Sequence, residues 1–421
     1  MVMMRPFRAL RPPVEKVAQV ASVPYDVVNT PEARELAKGN PLSLLHVSRP
    51  EIDLPEGTDP HADEVYTRGL SSFERLIREV PLLTEDRDCL YVYLQKMGNH
   101  VQTGVVGCCS VDEYDADVIK KHEKTRKDKE DDRTRHIVTL RAQTGPVFLM
   151  HKPDRAIDEL VAQIQTGKPL YDFVAPDGVA HTMWKVDEPA ALAEAFGRLE
   201  CSYIADGHHR AASASRARAT LRGKKPQVSC CCCGGGRTDP VEADSFLAVM
   251  FPANQLQILP YNRVVKDLAG LTPAELLQKL GDALGAAPQP WSGAEPAPAR
   301  SGQCRVYLAG KWYTLSLTPA RAGETDPTAR LDVSILMDRV LGPLLGIGDP
   351  RTDKRIDFVG GIRGTPELVK LVDGGQAAVA FAMFPTTVEQ LMAVADANLL
   401  MPPKSTWFEP KLRSGLVIHR I

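Results

Sequence analysis

The residues best suited to chemistry lie in CSYIADGHHRAASASRARAT, Cys201 to Thr220, where an apolar run gives way to an alanine-rich one. Asp206 can cap a helix by accepting from an early backbone amide, and Gly207 permits a tight turn or the close approach of a ligand. A helix starting here presents unbonded amides and the positive end of its dipole, which favour an anion. His208 and His209 add donors, and the guanidinium of Arg210 has the fork geometry that suits phosphate. The pattern reads either as a phosphate-binding turn or as an ordinary strand-to-helix connection with polar residues in its loop.

A second cluster sits in IKKHEKTRKDKEDDRTRH, Ile119 to His136. Glu123, next to His122 and several cations, has the chemistry of a general base or a Mg2+ ligand, and Arg133 could neutralise a phosphate. A solvated helix face would have the same composition. His122-Glu123 is not the zinc protease signature, because no second histidine follows four residues on. The chain has no GxxxxGK[ST] loop and no GxGxxG after a strand, so the usual P-loop and Rossmann readings lose their support. Cys230, Cys231, Cys232 and Cys233 are contiguous and cannot converge on one ion as separated CxxC pairs do. Near the C-terminus, Gly360-Gly361-Ile362-Arg363-Gly364 reads as an anion-binding loop or a plain turn. The tail MPPKSTWFEPKLRSGLVIHR, with Lys404, Trp407 and Lys411, reads as a flap over a ligand or a strap with an aromatic anchor.

These sites must be held by a large soluble protein. The 421 residues are 43% hydrophobic and 25% charged, enough for two or three domains. A formal charge of -2 supplies no global basic field for nucleic acid or anionic lipid. No stretch nears the roughly 18 apolar residues of a membrane span, and the start MVMMRPFRALRPP lacks the apolar core of a secretion signal. A cytoplasmic protein with reduced thiols is expected.

Strands and helices alternate along the chain. The patterns predict a strand in VAQVASVPYDVV and another in LSLLHVSRPEIDLP, and a short helix in TPEARELAKGNP capped by its Thr30. They also predict a helix over 61–79, a hairpin turning at Gly98-Asn99, a helix over 154–165 and a hairpin turning at Ala309-Gly310. The Pro- and Ala-rich GAAPQPWSGAEPAPARSG reads as a loop or linker. An N-terminal region over 1–260 would carry the Asp206–Arg210 turn, a C-terminal region over 261–421 would pack against it, and the cleft between is the expected ligand site.

The order of segments RPFRALRP, VPYDVV, GNPLSLLHVSRPE, KKHEKTRKDKEDDR, GPVFLM, IADGHHRAAS, LQILPYNRVV and MPPKSTWFEPKL resembles the prokaryotic family labelled domain of unknown function 1015 over nearly the whole chain. The DGHHR turn in turn resembles the phosphate-binding motif of the ParB/sulfiredoxin-like superfamily, which includes nucleotide-dependent free-serine kinases. The resemblance implies an α/β fold with a mixed sheet, a ParB/sulfiredoxin-like N-terminal core and a second α/β region. It implies that Asp206, Gly207, His208, His209 and Arg210 contact nucleotide phosphates, and that a carboxylate elsewhere activates the acceptor hydroxyl; the expected cofactors are ATP or ADP with Mg2+.

On chemistry, Glu123 is the candidate base, with His122 and Arg133 beside it as catalytic residues. Tyr25, Asp26, Arg49 and Glu51 are the candidate acceptor-binding residues. The expected activity is a small-molecule kinase acting on free serine or a similar metabolite, with a homodimer as a further expectation. A nucleotide-binding regulator, a DNA-binding ParB-like module and a phosphatase are the alternatives, and the neutral net charge speaks against DNA.

Overall fold

β-branched and aromatic runs build the sheet that carries the turn. Its strands are β1 (Leu90–Met97), β2 (His100–Ser110), β3 (Ile119–Lys120), β4 (Val147–His151), β5 (Tyr171–Val174), β6 (Ala180–Val186), β7 (Ser202–Asp206) and β8 (Ser245–Pro252). They lie in the order β3-β7-β4-β8-β2-β1-β6-β5. β7 runs parallel to β3 and antiparallel to β4, and β8 runs parallel to β4 and antiparallel to β2, so the sheet is mixed. The structure is a computed structural model that describes residues 1–223, 242–294, 296–319 and 323–421, and Cys230–Cys233 lie outside the described residues. The chain divides into two compact units, Met1–Leu256 with Pro410–Ile421, and Gln257–Glu409. No helix among the described residues is long and apolar enough to cross a membrane.

The longer helices of the first unit are α1 (Thr30–Ala37), α2 (Asp63–Glu79), α3 (Lys127–Leu140), α4 (Arg155–Gln165), α5 (Ala190–Gly197) and α6 (His208–Arg222). Alternation along β1 and β4 sends Leu90, Val92, Val147 and Leu149 into a core shared with Ile157 of α4, Phe196 of α5 and Ala211 and Ala214 of α6. The expected cap of α1 shifts by one residue. Asn29, not Thr30, caps it: Asn29 Oδ1 accepts from Glu32 N, while Glu32 Oε2 accepts from Asn29 N, each at 2.9 Å.

Two predicted strands are helical. Val17–Val20 forms one helical turn, and Leu45–Ser48 forms another that continues into a 3-10 turn, Pro50–Asp53. Short apolar runs carry no decisive period, and here the neighbours decide. Leu44 and Val47 pack with Phe73 and Leu76 of α2, while Leu45 and Ile52 pack with Ala33 and Ala37 of α1. A helical step lets successive apolar residues face two different partners; a strand would send alternate ones away from both.

The closing segment Pro410–Ile421 is woven into the first unit. Ser22 and Ser414 exchange amide bonds at 3.1 and 3.0 Å, Gly415 N donates to Thr144 O at 2.9 Å, and Ile421 N donates to Arg141 O at 2.9 Å. Gly415 has φ of 87°, where a side chain would be strained, and an added Cβ would also press on Leu44 and Val20.

In the second unit, β9 (Tyr261–Val265), β10 (Gln289–Trp291), β11 (Gln303–Leu308), β12 (Lys311–Ser316), β13 (Ile356–Gly360) and β14 (Val379–Met383) form a sheet ordered β10-β12-β11-β14-β9-β13. The expected hairpin turns at Ala309 and Gly310, both at positive φ as a two-residue turn of this hand requires. The expected linker contains strand β10. The helices here are α7 (Pro273–Leu284), α8 (Asp332–Leu336), α9 (Gly364–Asp373) and α10 (Val388–Asp396). Leu276, Leu280 and Leu284 recur every fourth residue and bury the inner stripe of α7. Gly360 and Gly361 have a packing reason: a Cβ would collide with the Trp407 ring at one and with Pro260 at the other.

Candidate functional site

Asp206 ends β7, Gly207 takes φ of 93°, and α6 begins at His208. Asp206 does not cap the helix as expected. Its Oδ1 accepts from the adjacent Gly207 N at 2.7 Å, and its Oδ2 pairs with Lys411 Nζ at 2.8 Å. Burial opposes ionisation of Asp206, but the Lys411 ammonium and the Gly207 amide hold its carboxyl below the usual range. The amides of His208 and His209 donate to no acceptor among the described residues, so the positive end of the fifteen-residue α6 remains uncapped by any side chain. Ala211 and Ala214 are buried against the sheet, Ala217 is buried with Ile137 of α3, and on that side Ser213 Oγ donates to Glu130 O at 3.2 Å and Arg216 pairs with Glu130 at 3.1 Å.

The α3 segment and its leading loop are thereby laid beside the turn. His208 Nε2 accepts from His122 N at 3.4 Å, the two rings meet edge to face at 4.4 Å, and His208 Nδ1 lies 3.8 Å from Glu123 Oε2. His209 Nε2 accepts from Arg126 N at 3.0 Å. Burial pushes His122 down to about 4, against the pull of Asp206, and burial with His122 as neighbour holds His208 well below its ordinary value. Both rings are neutral at pH 7, so they act as hydrogen-bonding groups and carry no charge there. Glu123 is exposed at the mouth of the turn.

Two guanidiniums converge on one ring. Arg133 stands 4.1 Å and Arg210 5.0 Å from the centre of the Tyr25 ring. Arg210 spends one N–H on Gly145 O at 3.3 Å, while Arg133 is tied to Asp132 at 2.7 Å and to Ser48 O at 3.3 Å. Tyr25, Arg133, Arg210, Ser48, Thr144 and Gly145 line a cavity of about 30 Å³, room for ordered water. Burial and the neighbouring Asp26 push the Tyr25 hydroxyl up to about 12, so it stays protonated.

Of the remaining expected residues, Asp26 is exposed beside Tyr25 and acts electrostatically on His209. Arg49 donates to Tyr25 O at 3.3 Å and to Thr30 Oγ1 at 3.0 Å, and pairs with Glu51 at 2.8 Å. Glu51 is buried within that pairing, so Arg49 and Glu51 brace the Tyr25 loop from behind. Ser414 and the Thr144-Gly145 pair carry no signal in the sequence, and Lys411 is read there only as part of the tail, without its partner. A lysine after a Glu-Pro in the tail was visible, but nothing local linked it to an aspartate 205 positions away.

The sequence profile of the family described as "Protein of unknown function (DUF1015)" matches residues 4–334. No curated protein matches the sequence. Among solved structures, free serine kinase in complex with AMP aligns with a TM-score of 0.35 at 12% identity, covering 74% of this chain and 91% of that one. A variant of free serine kinase in complex with ADP aligns with a TM-score of 0.34 at 12% identity and the same coverage. SbnI with C-terminal truncation from Staphylococcus aureus aligns with a TM-score of 0.36 at 11% identity, covering 72% of this chain and 82% of that one.

Proposed function

The chain belongs to the DUF1015 family of proteins of unknown function, and we propose that it is a phosphotransferase that moves the terminal phosphoryl group of ATP or ADP to the hydroxyl of a small metabolite. The observation that carries this reading is the meeting of Arg133 and Arg210 on Tyr25, beside the uncapped amides of His208 and His209. Phosphoryl transfer needs alignment and charge neutralisation more than a reactive side chain, and these groups are donors for spread negative charge. The resemblance of the DGHHR turn to that of free-serine kinases makes serine the first acceptor to test.

In this reading the amides of His208 and His209 and the guanidinium of Arg210 bind the phosphates. The acceptor oxygen forms its bond to the terminal phosphorus as the bond from phosphorus to the bridging oxygen breaks, and the shortened nucleotide leaves with that oxygen. The acceptor proton passes to Glu123, which is exposed at the mouth of the turn. His208 orients Glu123, and Arg133 stiffens Tyr25 and adds positive potential. Among the described residues no three metal-ligating side chains gather. Mg2+ in such sites is held chiefly by phosphate oxygens with one or two carboxylates, and Asp206 and Glu123 are of that kind. When bound, it would offset the charge of the phosphates.

A thermal-shift screen of ATP, ADP and AMP with and without Mg2+ tests binding. Saturation at about a hundred times Kd adds about 2.7 kcal/mol, a rise of several degrees. Incubation with serine and other hydroxylated metabolites, followed by mass spectrometry, then distinguishes a phosphorylated acceptor from inorganic phosphate alone. If no nucleotide stabilises the protein at millimolar concentration, the reading falls.

Gly145→Ala probes the seat of Arg210. An added Cβ would overlap Arg210 Nη1 and Ser414 Oγ, both tips of side chains that can move. The fold should yield with a melting temperature within a few degrees of wild type. Displacing the guanidinium should lower kcat/KM by about 10- to 100-fold, since an ångström of misplacement costs that order of rate.

A further inference from the structure

The second unit holds a pocket of about 410 Å³ lined by the chain entering β11 and leaving β12, by α8 and by the start of α10. Its polar lining consists of Ser301, Gly302, Arg330, Asp332, Glu389 and Gln390. Asp332 is only 8% exposed, yet its two oxygens share a single amide, Gly302 N at 3.0 Å from each, with Ser301 Oγ at 3.5 Å. Burial pushes its carboxyl up to about 6, and no cation among the described residues acts against that. A carboxylate offers about four acceptor sites, and buried charges are ordinarily paired. Asp332 is under-paired on both counts, and it faces a space in the size range of small-molecule sites.

We infer that this pocket binds a small zwitterion, its ammonium group on Asp332 and its anionic group toward Arg330. The volume exceeds what a bare ion needs. Glu389 supplies a second acceptor for the ammonium, while Arg330 is exposed at the rim and presents a fork suited to a carboxylate. A free amino acid carries both an ammonium and a carboxylate, and a simple amine has only the first. The inference stands apart from the transferase reading, because none of its residues belongs to the turn before α6.

The test is calorimetric titration of the full chain with the common free amino acids and, in parallel, their decarboxylated amines. At least one amino acid is expected to bind at millimolar concentration or tighter. Asp332→Asn keeps an acceptor for Gly302 N but removes the charge. It should weaken that binding by about tenfold or more and melt at or above the wild-type temperature, since an uncompensated buried charge is gone. Arg330→Gln should weaken the amino acid while leaving its amine unchanged.

The assignment is overturned if no probe binds the wild-type protein, or if binding survives Asp332→Asn undiminished and so belongs elsewhere. Equal loss of amino acid and amine in Arg330→Gln would overturn the orientation. The nucleotide-induced rise in melting temperature should be the same in both variants and wild type; its absence from the wild type would count against the transferase reading alone.

Discussion

Arg210→Ala is expected to lower kcat/KM for phosphoryl transfer by on the order of 10³-fold, about 4 kcal/mol of transition-state stabilisation, while the protein stays folded. An arginine facing a transferring phosphoryl group is typically worth about 10³ to 10⁵ in rate. The lower figure is taken because the amides of His208 and His209 and the nearby Arg133 remain. The structural cost is small: Arg210 gives up one hydrogen bond, to Gly145 O at 3.3 Å, and a contact with Tyr25 at 5.0 Å, together on the order of 1–2 kcal/mol. Arg133→Ala would be a poorer probe. It strands Asp132, which is buried and bonded to Tyr66 Oη at 2.7 Å, and an uncompensated buried charge costs about 3–5 kcal/mol. Arg210→Lys should recover part of the loss, because the charge returns without the fork. Steady-state kinetics with the nucleotide in excess, beside a melting curve, decides the matter. Activity within threefold of wild type in Arg210→Ala would mean that the phosphates lie elsewhere.

The parts of this site that sequence exposes are those whose constraint is local. Gly207 needs positive φ, the alanines after it need a close neighbour, and both are read from adjacent positions. The charged segment was ambiguous because a solvated helix has the same composition. It is a helix from Lys127, but His122 and Glu123 precede that helix and turn toward His208. Three-dimensional pairing across 86 positions settles this, which no window of sequence contains. The same holds for Lys411. The tail that carries it reads as one motif, yet Lys404 and Trp407 belong to the second unit and Lys411 to the first. Leu45–Ser48 reads as a strand in the sequence because a four-residue apolar run has no period of its own, and the helices flanking it set its geometry. Glu51 is an acceptor-pocket candidate through the family resemblance of its segment, and the sequence does not show that its carboxylate is buried against Arg49.

Lowering the pH from 7 to 5 is expected to cost the fold several kcal/mol, most of it through histidines and before the carboxylates titrate. Burial pushes His122 down to about 4, against Asp206, and burial with Arg413 pushes His181 down to about 3. Burial with Arg133 nearby likewise depresses His136, and burial with His122 nearby depresses His208. In the unfolded chain each titrates near 6.5. The folded values are lower, so the unfolded state binds more protons. The stability each neutral ring contributes is fully present above about 6.5 and is lost as pH falls toward the folded value. One excess proton changes stability by about 1.4 kcal/mol per pH unit. Three or four such rings give a slope of about 4–5 kcal/mol per unit near pH 5, against a typical total of about 5–15 kcal/mol. Glu242, held down to about 2 by His419, with burial opposing and Arg5 assisting, acts later, as pH falls from its ordinary carboxylate range. Urea titrations at closely spaced pH values measure the slope directly. A stability that is flat between pH 7 and 5 would mean that these rings accept protons in the folded state, and the neutral His122–His208 contact beside the turn would then be wrong.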